Sequence, residues 1–383
     1  MTEKDTHPSS THPPLPPTSE DDQFTRLRLL RSRRVGISTY KRLLIEHGTA
    51  QNALAALPEV ARAAGVEKYH VCPEAVVHAE LRAARAAGAR LVAQGDPDYP
   101  APLNDLNDAP PFLWLLGDAA ILQRPMIAMV GARNASSLGT RMARSLARDL
   151  ADHGYVIVSG LARGVDAAAH LATLDTGTVA VQAGGVDTIY PAENTKLAED
   201  IAAKGARISE QPMGLQPMAR HFPARNRIIS GLGRATIVVE AAAKSGSLIT
   251  ARDALDLGRD VLAVPGHPMD ARASGCNMLI RDGATLVRDA ADVIEALAPI
   301  APRVPPELPL QPPTTRPHDK RSLQATAALH QQILDRLGPS PLAEDQLIRD
   351  LGAPSSTVAP ALVELELDGS IDRAPGGLLT RAS

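Results

Sequence analysis

The chain is poor in aromatic residues and in cysteine. Its 383 residues include three phenylalanines, five tyrosines and one tryptophan, although 44% of all residues are hydrophobic. Alanine, valine, leucine and isoleucine must therefore build most of any core. The two cysteines, Cys72 and Cys276, lie far apart and have no ligand-like spacing. This count supports neither a disulfide framework nor a zinc cluster, and it fits the reducing cytoplasm.

The sequence also lacks a long apolar run and an excess of positive charge. Its N-terminus is polar and proline-rich without the apolar stretch of a signal peptide, and no apolar run approaches membrane-spanning length. We therefore expect a cytoplasmic protein without a membrane partner. The formal net charge is −3, so a nucleic-acid site would require a local concentration of positive charge.

Proline-rich segments divide the chain into predicted domains. Residues 1–21 contain five prolines and predict a disordered tail, whereas residues 299–320 contain eight prolines and predict a semi-rigid linker. Residues 22–89 predict a small all-α domain of the sterile-alpha-motif or helix-hairpin-helix kind. Within it, Phe24–Gly48 carries seven Lys/Arg against one acid, Glu46. That surface is either a solvated charged face or an auxiliary DNA contact.

Residues 90–298 alternate between apolar strand-like runs and helical stretches. Runs that are apolar throughout indicate strands covered on both faces. The sequence therefore predicts an α/β fold with an extended Rossmann-like, doubly wound parallel sheet, whose functional loops lie at the carboxyl ends of the strands. The predicted strands are Met126–Gly131, Tyr155–Ser159, Thr178–Ala183, Ala206–Ser209, Ala235–Val239 and Val261–Val264, with Arg90–Gln94 and Phe112–Leu116 extending the sheet.

Residues 321–383 predict a C-terminal winged-helix domain. Three helical stretches, the third at Thr357–Leu367, precede two strand-like runs that flank a Pro375–Gly376–Gly377 turn. The domain has five Arg against eight Asp/Glu. Entry into a DNA groove requires cations that neutralise phosphates. We therefore predict that this domain contacts protein or modulates the core, and does not read duplex DNA.

Two strand-to-helix turns in the α/β domain place arginine beside glycine. Gly131–Ala132–Arg133 leaves one predicted strand, and a helix with unpaired N–H groups is expected to begin near Ser136 or Ser137. Ser159–Gly160 enters a second turn, with Arg163 near the next helix start. A glycine lets backbone approach a ligand, and an arginine fork suits phosphate oxygens. Each turn taken alone fits a structural turn as well as a phosphate cradle.

Asp166 and His170 follow the second turn. They lie four residues apart on one predicted helical face and could hydrogen-bond each other. A catalytic dyad would need a nucleophile or a metal nearby. Structural support of the loop is the alternative.

The strongest local charge lies between Glu210 and Glu240, where the sequence has no acidic residue. This interval contains Phe222 on a predicted loop, followed by Arg225–Asn226–Arg227. A cation in the opening turn of a helix opposes the helix dipole, so Arg225 indicates that an anion is its neighbour. Phe222 is either a core anchor or a base-stacking platform beside phosphate-binding arginines.

A Gly/Ser loop follows the predicted strand that ends near Glu240. Ser245 belongs to this loop, Ser247 is expected to cap the next helix, and Lys244 is expected to lie over that helix N-terminus. The loop is thus a second phosphate-friendly exit on the same side of the sheet.

Motifs for catalysis are missing from the sequence. It has no G-x-x-x-x-G-K-[ST] loop, no G-x-S-x-G elbow and no metal-ligand spacing among its histidines and carboxylates. These absences favour binding without turnover, with no cofactor and no metal.

Taken together, the loops resemble those of the DNA-processing protein A family (DprA/Smf). The resemblance covers about residues 100–290, and Phe222–Ile229 is its most distinctive segment. Arg163 stands where many relatives have lysine, which keeps the charge and changes its geometry. The other matching segments are Gly131–Arg133, Ser159–Asp166 with His170, Tyr190–Pro191, Ile208–Glu210, Ser245–Thr250, Val264–Gly266, Gly275–Asn277 and Leu279–Ile280.

The resemblance implies an extended Rossmann domain that forms a homodimer and binds single-stranded DNA without catalysis. It also implies delivery of that DNA to the recombinase RecA during natural transformation. The implied DNA-binding residues are Gly131, Arg133, Ser159, Gly160, Arg163, Phe222, Arg225, Asn226, Arg227, Lys244, Ser245 and Ser247.

Two other functions stay open from the sequence. Glu240 before a Gly/Ser loop is compatible with a nucleotide-cleaving Rossmann enzyme similar to the LOG-type phosphoribohydrolases. The linker and the acidic C-terminal domain would also suit an adaptor or scaffold that does not bind DNA.

Overall fold

The computed structural model describes residues 19–298, 323–338, 340–374 and 376–382. The predicted linker lies outside the described residues. So does the predicted tail, apart from residues 19–21, which belong to the first helix. The chain divides into two compact units, Met1–Pro299 and Ile300–Ser383.

Four helices form the N-terminal part of the first unit: α1 (Ser19–Leu30), α2 (Ile37–His47), α3 (Ala50–Ala63) and α4 (Glu74–Ala87). Their apolar faces pack together and against Phe112 and Trp114 of the following sheet. The buried Glu80 of α4 accepts hydrogen bonds from Arg31, which directly follows α1, at 2.7 and 2.9 Å, and from Trp114 Nε1 at 2.8 Å. The helices and the sheet therefore share one core.

Intramolecular contacts occupy most of the basic side chains in Phe24–Gly48. Arg33 and Arg34 are exposed. Of the five other cations, Lys41 donates a hydrogen bond to the Asn107 carbonyl. The other four form ion pairs with carboxylates, Arg26 with Asp22, Arg28 with Glu74, Arg31 with Glu80 and Arg42 with Glu46.

A nine-stranded sheet forms the centre of the first unit, in the order β1-β2-β6-β5-β4-β3-β7-β8-β9. Strands β3 to β9 are parallel, whereas β2 runs antiparallel to both β1 and β6. The strands are β1 (Arg90–Ala93), β2 (Phe112–Gly117), β3 (Met126–Val130), β4 (Val156–Ser159), β5 (Thr178–Val181), β6 (Ala206–Ser209), β7 (Ala235–Val238), β8 (Asp260–Ala263) and β9 (Thr285–Leu286).

Helices cover both faces of this sheet. One face packs on the apolar sides of α8, α9 and α10, and the other packs on α5, α6 and α11. The doubly wound fold predicted from the apolar runs is confirmed. The helices are α5 (Ser137–Asp152), α6 (Val165–Ala172), α7 (Thr195–Lys204), α8 (His221–Leu232), α9 (Ser247–Asp256), α10 (Ser274–Arg281) and α11 (Ala290–Leu297).

The strand order reverses between β3 and β7, which are neighbours in the sheet. From β3 the chain first moves outwards through β4, β5 and β6, and it then returns to the other side through β7, β8 and β9. Loops leaving two such strands diverge, so a crevice opens at their carboxyl ends. This crevice lies beside the predicted turns at Gly131–Arg133 and Lys244–Ser247.

The second unit has a winged-helix arrangement with its own apolar core around Ile333, Leu347, Leu362 and Leu379. The sequence pattern predicts the second helix of this domain over Leu342–Leu351, but the helix begins two residues later because Leu342–Ala343 pairs with the wing as a third short strand. Its elements are α12 (Leu323–Arg336), β10 (Leu342–Ala343), α13 (Glu344–Leu351), α14 (Ser355–Leu367), β11 (Ile371–Ala374) and β12 (Leu378–Arg381).

Candidate nucleic-acid interface

A cavity of about 810 Å³ opens at the crevice between β3 and β7, and we call it the first groove. Its walls come from the loop after β3, the beginning of α8 and the loop between β7 and α9. Eight of the twelve predicted site residues line it, although they come from three separate segments. These eight are Gly131, Arg133, Phe222, Arg225, Asn226, Lys244, Ser245 and Ser247.

Arg133 and Lys244 are the exposed cations that carry predicted roles in this groove. Neither has a carboxylate partner within the described ranges. The Arg133 guanidinium carbon lies 5.1 Å from the centroid of the Phe222 ring, which fits a cation–π contact. Phe222 is half-buried and is the second residue of α8. The prediction that Phe222 lies on a loop is therefore wrong, because the residue belongs to the first turn of α8.

Arg225 contributes a buried cation from the first turns of α8. Its Nη1 donates hydrogen bonds to the carbonyl oxygens of Gly160, at 2.5 Å, and Val181, at 2.8 Å. Burial lowers the pKa of Arg225 to about 10, while the nearby Asp166 carboxylate raises it and Arg133 lowers it further. The side chain therefore stays charged at neutral pH while only 5% of it is exposed.

Arg227 points away from the first groove. Its Nε donates to Asp108 at 2.7 Å and its Nη2 donates to Glu210 at 2.6 Å. Burial raises the pKa of Glu210 and Arg227 opposes that shift. The prediction that Arg227 lies with the other cations is not met, because two carboxylates hold its guanidinium at a separate part of the fold.

The two helix starts beside the groove are already occupied. Helix α5 begins at Ser137, as expected, and Ser136 caps it. The Glu240 carboxylate accepts from Ser136 N at 3.1 Å and from Ser136 Oγ at 2.7 Å. The expected free N–H groups at this helix start are therefore partly used by a carboxylate of the same chain. Ser247 is the first residue of α9 and not its cap, and its N–H donates to Ser245 Oγ at 3.4 Å.

The second predicted turn mainly supports the loop around Gly160. Ser159 is fully buried and its hydroxyl donates to the Met129 carbonyl at 2.6 Å, so it offers no side-chain donor to a ligand. The Asp166 carboxylate accepts from the N–H groups of Gly160 and Ala162 at 3.1 and 3.3 Å. This is the structural role that the sequence left open as the alternative to a dyad.

Asp166 and His170 do not hydrogen-bond each other. His170 Nδ1 lies 2.8 Å from Thr178 Oγ1, and burial lowers the pKa of His170 to about 3. Burial raises the pKa of Asp166, while Arg225 and the two loop N–H groups lower it. Over the part of the chain that the structure describes, no cluster of three or more His, Cys, Asp or Glu side chains could hold a metal.

A second pocket, of about 270 Å³, adjoins the first groove and shares Arg133, Phe222 and Arg225 with it. It also contains Gly160 and Arg163 from the predicted site. Arg163 Nε lies 3.6 Å from Glu193 and both side chains are more than half exposed. Of the twelve predicted site residues, Ser159 and Arg227 line neither cavity.

Sequence reasoning assigned no role to Tyr190, which lines the second pocket. The ring centroids of Tyr190 and Phe222 are 5.8 Å apart. The sequence could have indicated Tyr190 as a site residue, because it follows the glycine-rich loop after β5. The carboxyl end of β5 lies at the same edge of the sheet as those of β3 and β4.

The fold and the groove define a Rossmann-type protein with a basic crevice at its topological switch point. Models of three families match the chain: DNA recombination-mediator protein A over residues 90–298, the DprA-like N-terminal HHH domain over 20–83 and the DprA winged helix domain over 317–377. The chain belongs to the DNA recombination-mediator protein A family, known as DprA or Smf.

Individual relatives agree with this assignment. The chain is 45% identical to the DNA processing protein DprA of Streptococcus pneumoniae over 193 residues, which are 50% of this chain and 68% of that protein. The X-ray structure of that protein covers 71% of this chain and 97% of its own, with a TM-score of 0.61 and 34% identity. The DNA processing protein A of Helicobacter pylori, whose structure describes a single-stranded DNA binding mode, covers 55% of this chain and 95% of its own, with a TM-score of 0.51 and 31% identity.

Among the described residues, no helix is both long enough and apolar enough to cross a membrane.

Proposed function

We propose that this protein binds single-stranded DNA in the first groove and does not transform it chemically. The observation that carries the proposal is that Arg133 and Lys244, two exposed cations without carboxylate partners among the described side chains, line the same groove as the Phe222 ring. Phosphates would contact the cations and a base would stack on the ring. The single-stranded DNA binding mode described for the Helicobacter pylori relative supports this proposal.

Single strands fit this groove better than a duplex does. Stacking on Phe222 requires an accessible base face, and base pairs in a duplex stack on each other and hide those faces. Arg225 places a fixed positive charge 6.0 Å from the centroid of the Phe222 ring. Asn226 accepts from Arg225 Nε through Oδ1 at 3.1 Å, which leaves its amide nitrogen for a phosphate or a base.

In the cell, we propose that the bound strand is delivered to RecA during natural transformation. We also propose a cytoplasmic location and a homodimer that forms through the Rossmann domain. Membership of the DNA recombination-mediator protein A family supports these three proposals. The N-terminal helical domain, the linker at residues 299–320 and the C-terminal domain would then be accessory to the DNA-binding core at residues 90–298.

The first test is fluorescence anisotropy with labelled oligo-dT and with a duplex of equal length. We expect tighter binding of oligo-dT, with a log–log salt slope of about −0.7 for each phosphate contact. Arg133→Ala or Lys244→Ala should weaken binding and should make the log–log slope about 0.7 less negative, since one phosphate contact is lost. Phe222→Ala should remove about 1–3 kcal/mol of binding free energy, because a base loses its stacking partner. Arg148→Ala is the matched control, because Arg148 is an exposed arginine of α5 outside both cavities. Unchanged binding in all three groove variants would place the site elsewhere.

The phosphoribohydrolase alternative depends on Glu240. In the folded chain its carboxylate caps α5 through Ser136 and lies 3.8 Å from Arg272 Nε. Glu240 is only 8% exposed and does not line the first groove. These contacts favour a structural role. Incubation with AMP should release no adenine, and steady release would establish the enzyme in place of the DNA-binding protein.

A further inference from the structure

The second pocket has a preformed wall that the proposed binding of phosphates does not require. Asn194 Nδ2 donates to the Leu161 carbonyl at 2.9 Å, and Gln182 Nε2 donates to the Thr188 carbonyl at 2.8 Å. These bonds hold the segment around Tyr190 against the loops that follow β4 and β5. The pocket therefore exists before a ligand arrives.

Tyr190 is unusual in a chain with so few aromatic residues. Its side chain is 50% exposed, and no other phenylalanine, tyrosine or tryptophan among the described residues is as exposed. Its ring is inclined by 57° to that of Phe222, so the two rings form a corner between the cavities. An aromatic face left open beside a cationic groove is suited to stacking with a nucleobase.

The same pocket also offers hydrogen-bonding groups to the edge of such a base. Arg163 and Glu193 are side by side at 3.6 Å, and their side chains are 53% and 63% exposed. An ion pair this exposed contributes little to stability, so its members are available to a ligand. A carboxylate that can accept two hydrogen bonds, beside an arginine that can donate, complements guanine, which presents its O6 acceptor next to the N1–H and N2–H donors.

We propose that the second pocket binds one unstacked nucleobase and prefers guanine. Tyr190 stacks on the base, Glu193 accepts from its N1–H and N2–H groups, and Arg163 donates to O6. This inference rests on the proposed function, because the strand must first occupy the first groove through Arg133 and Phe222. The first groove binds single strands largely without regard to sequence, and the second pocket adds a preference for one base at one position.

The experiment compares oligonucleotides that differ at one position, using the full-length protein. A dT oligomer is titrated beside the same oligomer with one central dG, and beside one with a central dA. We expect the dG oligomer to bind about fivefold more tightly or better, since a bidentate base contact discriminates by about 1–3 kcal/mol. Glu193→Gln should abolish this preference, and Glu199→Gln, at an exposed glutamate of α7 outside the pocket, should retain it.

Tyr190 is tested by a signal that reports stacking directly. An oligomer with 2-aminopurine at the central position should be quenched on binding, and Tyr190→Ala should relieve the quenching and weaken binding about fivefold or more. Tyr190→Phe should behave as wild type, because the ring is kept. Thermal unfolding of each variant checks that the fold persists.

Equal affinity of the wild-type protein for the dG, dA and dT oligomers would overturn the inference, as would quenching that survives Tyr190→Ala. Either result leaves the first groove intact as a site, provided that Arg133→Ala still weakens oligo-dT binding. Loss of the Arg133 effect would instead remove the proposed function on which the inference rests.

Discussion

Arg225 and Arg227 are two residues apart in the sequence, and their guanidinium groups contact different parts of the molecule. Arg225 donates to carbonyls at the ends of β4 and β5, whereas Arg227 pairs with Asp108 and Glu210. Sequence reasoning placed both in one basic cluster, because a run of cations does not reveal which carboxylates the fold brings near. The charges of Arg133 and Lys244 were predicted correctly as accessible ones, since loops at strand ends are exposed.

Gly160 is required by the position of Arg225. A methyl group at residue 160 would overlap the Arg225 guanidinium. We expect Gly160→Ala to destabilise the fold by about 1–3 kcal/mol through overpacking and to weaken oligo-dT binding. Urea unfolding and anisotropy measure the two effects. Gly246→Ala is the control for stability, because its added methyl group meets nothing within 4 Å. Arg148→Ala is the control for binding, since Gly246 itself lines the first groove. Equal stabilities of the two variants would show that the Arg225 position is not sterically fixed.

At the scale of elements, eight of the nine strands of the large sheet were predicted to within about two residues, whereas β9 was not predicted and β10 was expected to be helical. Apolar runs bounded by glycines and charged residues sufficed, because a parallel sheet buries both faces of its strands. The beginning of α5 also followed from Ser136. Its second cap, the Glu240 carboxylate, comes from a residue 104 positions away. A local pattern contains no information about such a contact, so the helix start was wrongly expected to be free for phosphate.

Helix α8 is held to the end of β6 by the ion pair between Arg227 and Glu210, whose side chains are 13% and 12% exposed. We expect Arg227→Met to cost about 3 kcal/mol at pH 7.5, because it leaves a buried carboxylate unpaired. Burial already raises the pKa of Glu210. A raised pKa in the folded state means that stability is greater below the unfolded pKa and is lost as pH rises. The deficit should therefore shrink towards pH 5.

Urea unfolding of the wild type and of Arg227→Met across pH 5 to 7.5 measures that deficit. The double variant with Glu210→Gln serves as the control and should recover most of the lost stability at pH 7.5. A deficit that is independent of pH would assign the effect to lost packing of the arginine stem and not to the carboxylate.

At the scale of the whole molecule, the C-terminal unit has a core of its own and an acidic composition. Arg373 is held by Glu344 and Glu366, at 2.7 and 3.2 Å, which withdraws one of the few cations from any phosphate. The exposed side of α14 presents Val363 and Leu367. These contacts support the prediction that this domain contacts protein or modulates the core.

Removal of residues 299–383 tests that prediction. We expect oligo-dT affinity to stay within about twofold of the full-length value, and weak duplex affinity to be unchanged. The same truncation carrying Arg133→Ala provides the control, since it should lose binding as the full-length variant does. A marked fall in duplex affinity on truncation would instead identify the winged helix as a duplex-binding domain.

The clamping of Arg225 between two strand ends has a thermodynamic consequence. A freely rotating arginine or lysine on a surface forfeits up to about 2 kcal/mol of rotamer entropy when a ligand fixes it. At Arg225 this entropy is already lost on folding, because two backbone oxygens fix the orientation of its guanidinium group. In the proposed complex, single-stranded DNA would therefore meet one preorganised, buried charge at Arg225 and two adaptable ones at Arg133 and Lys244.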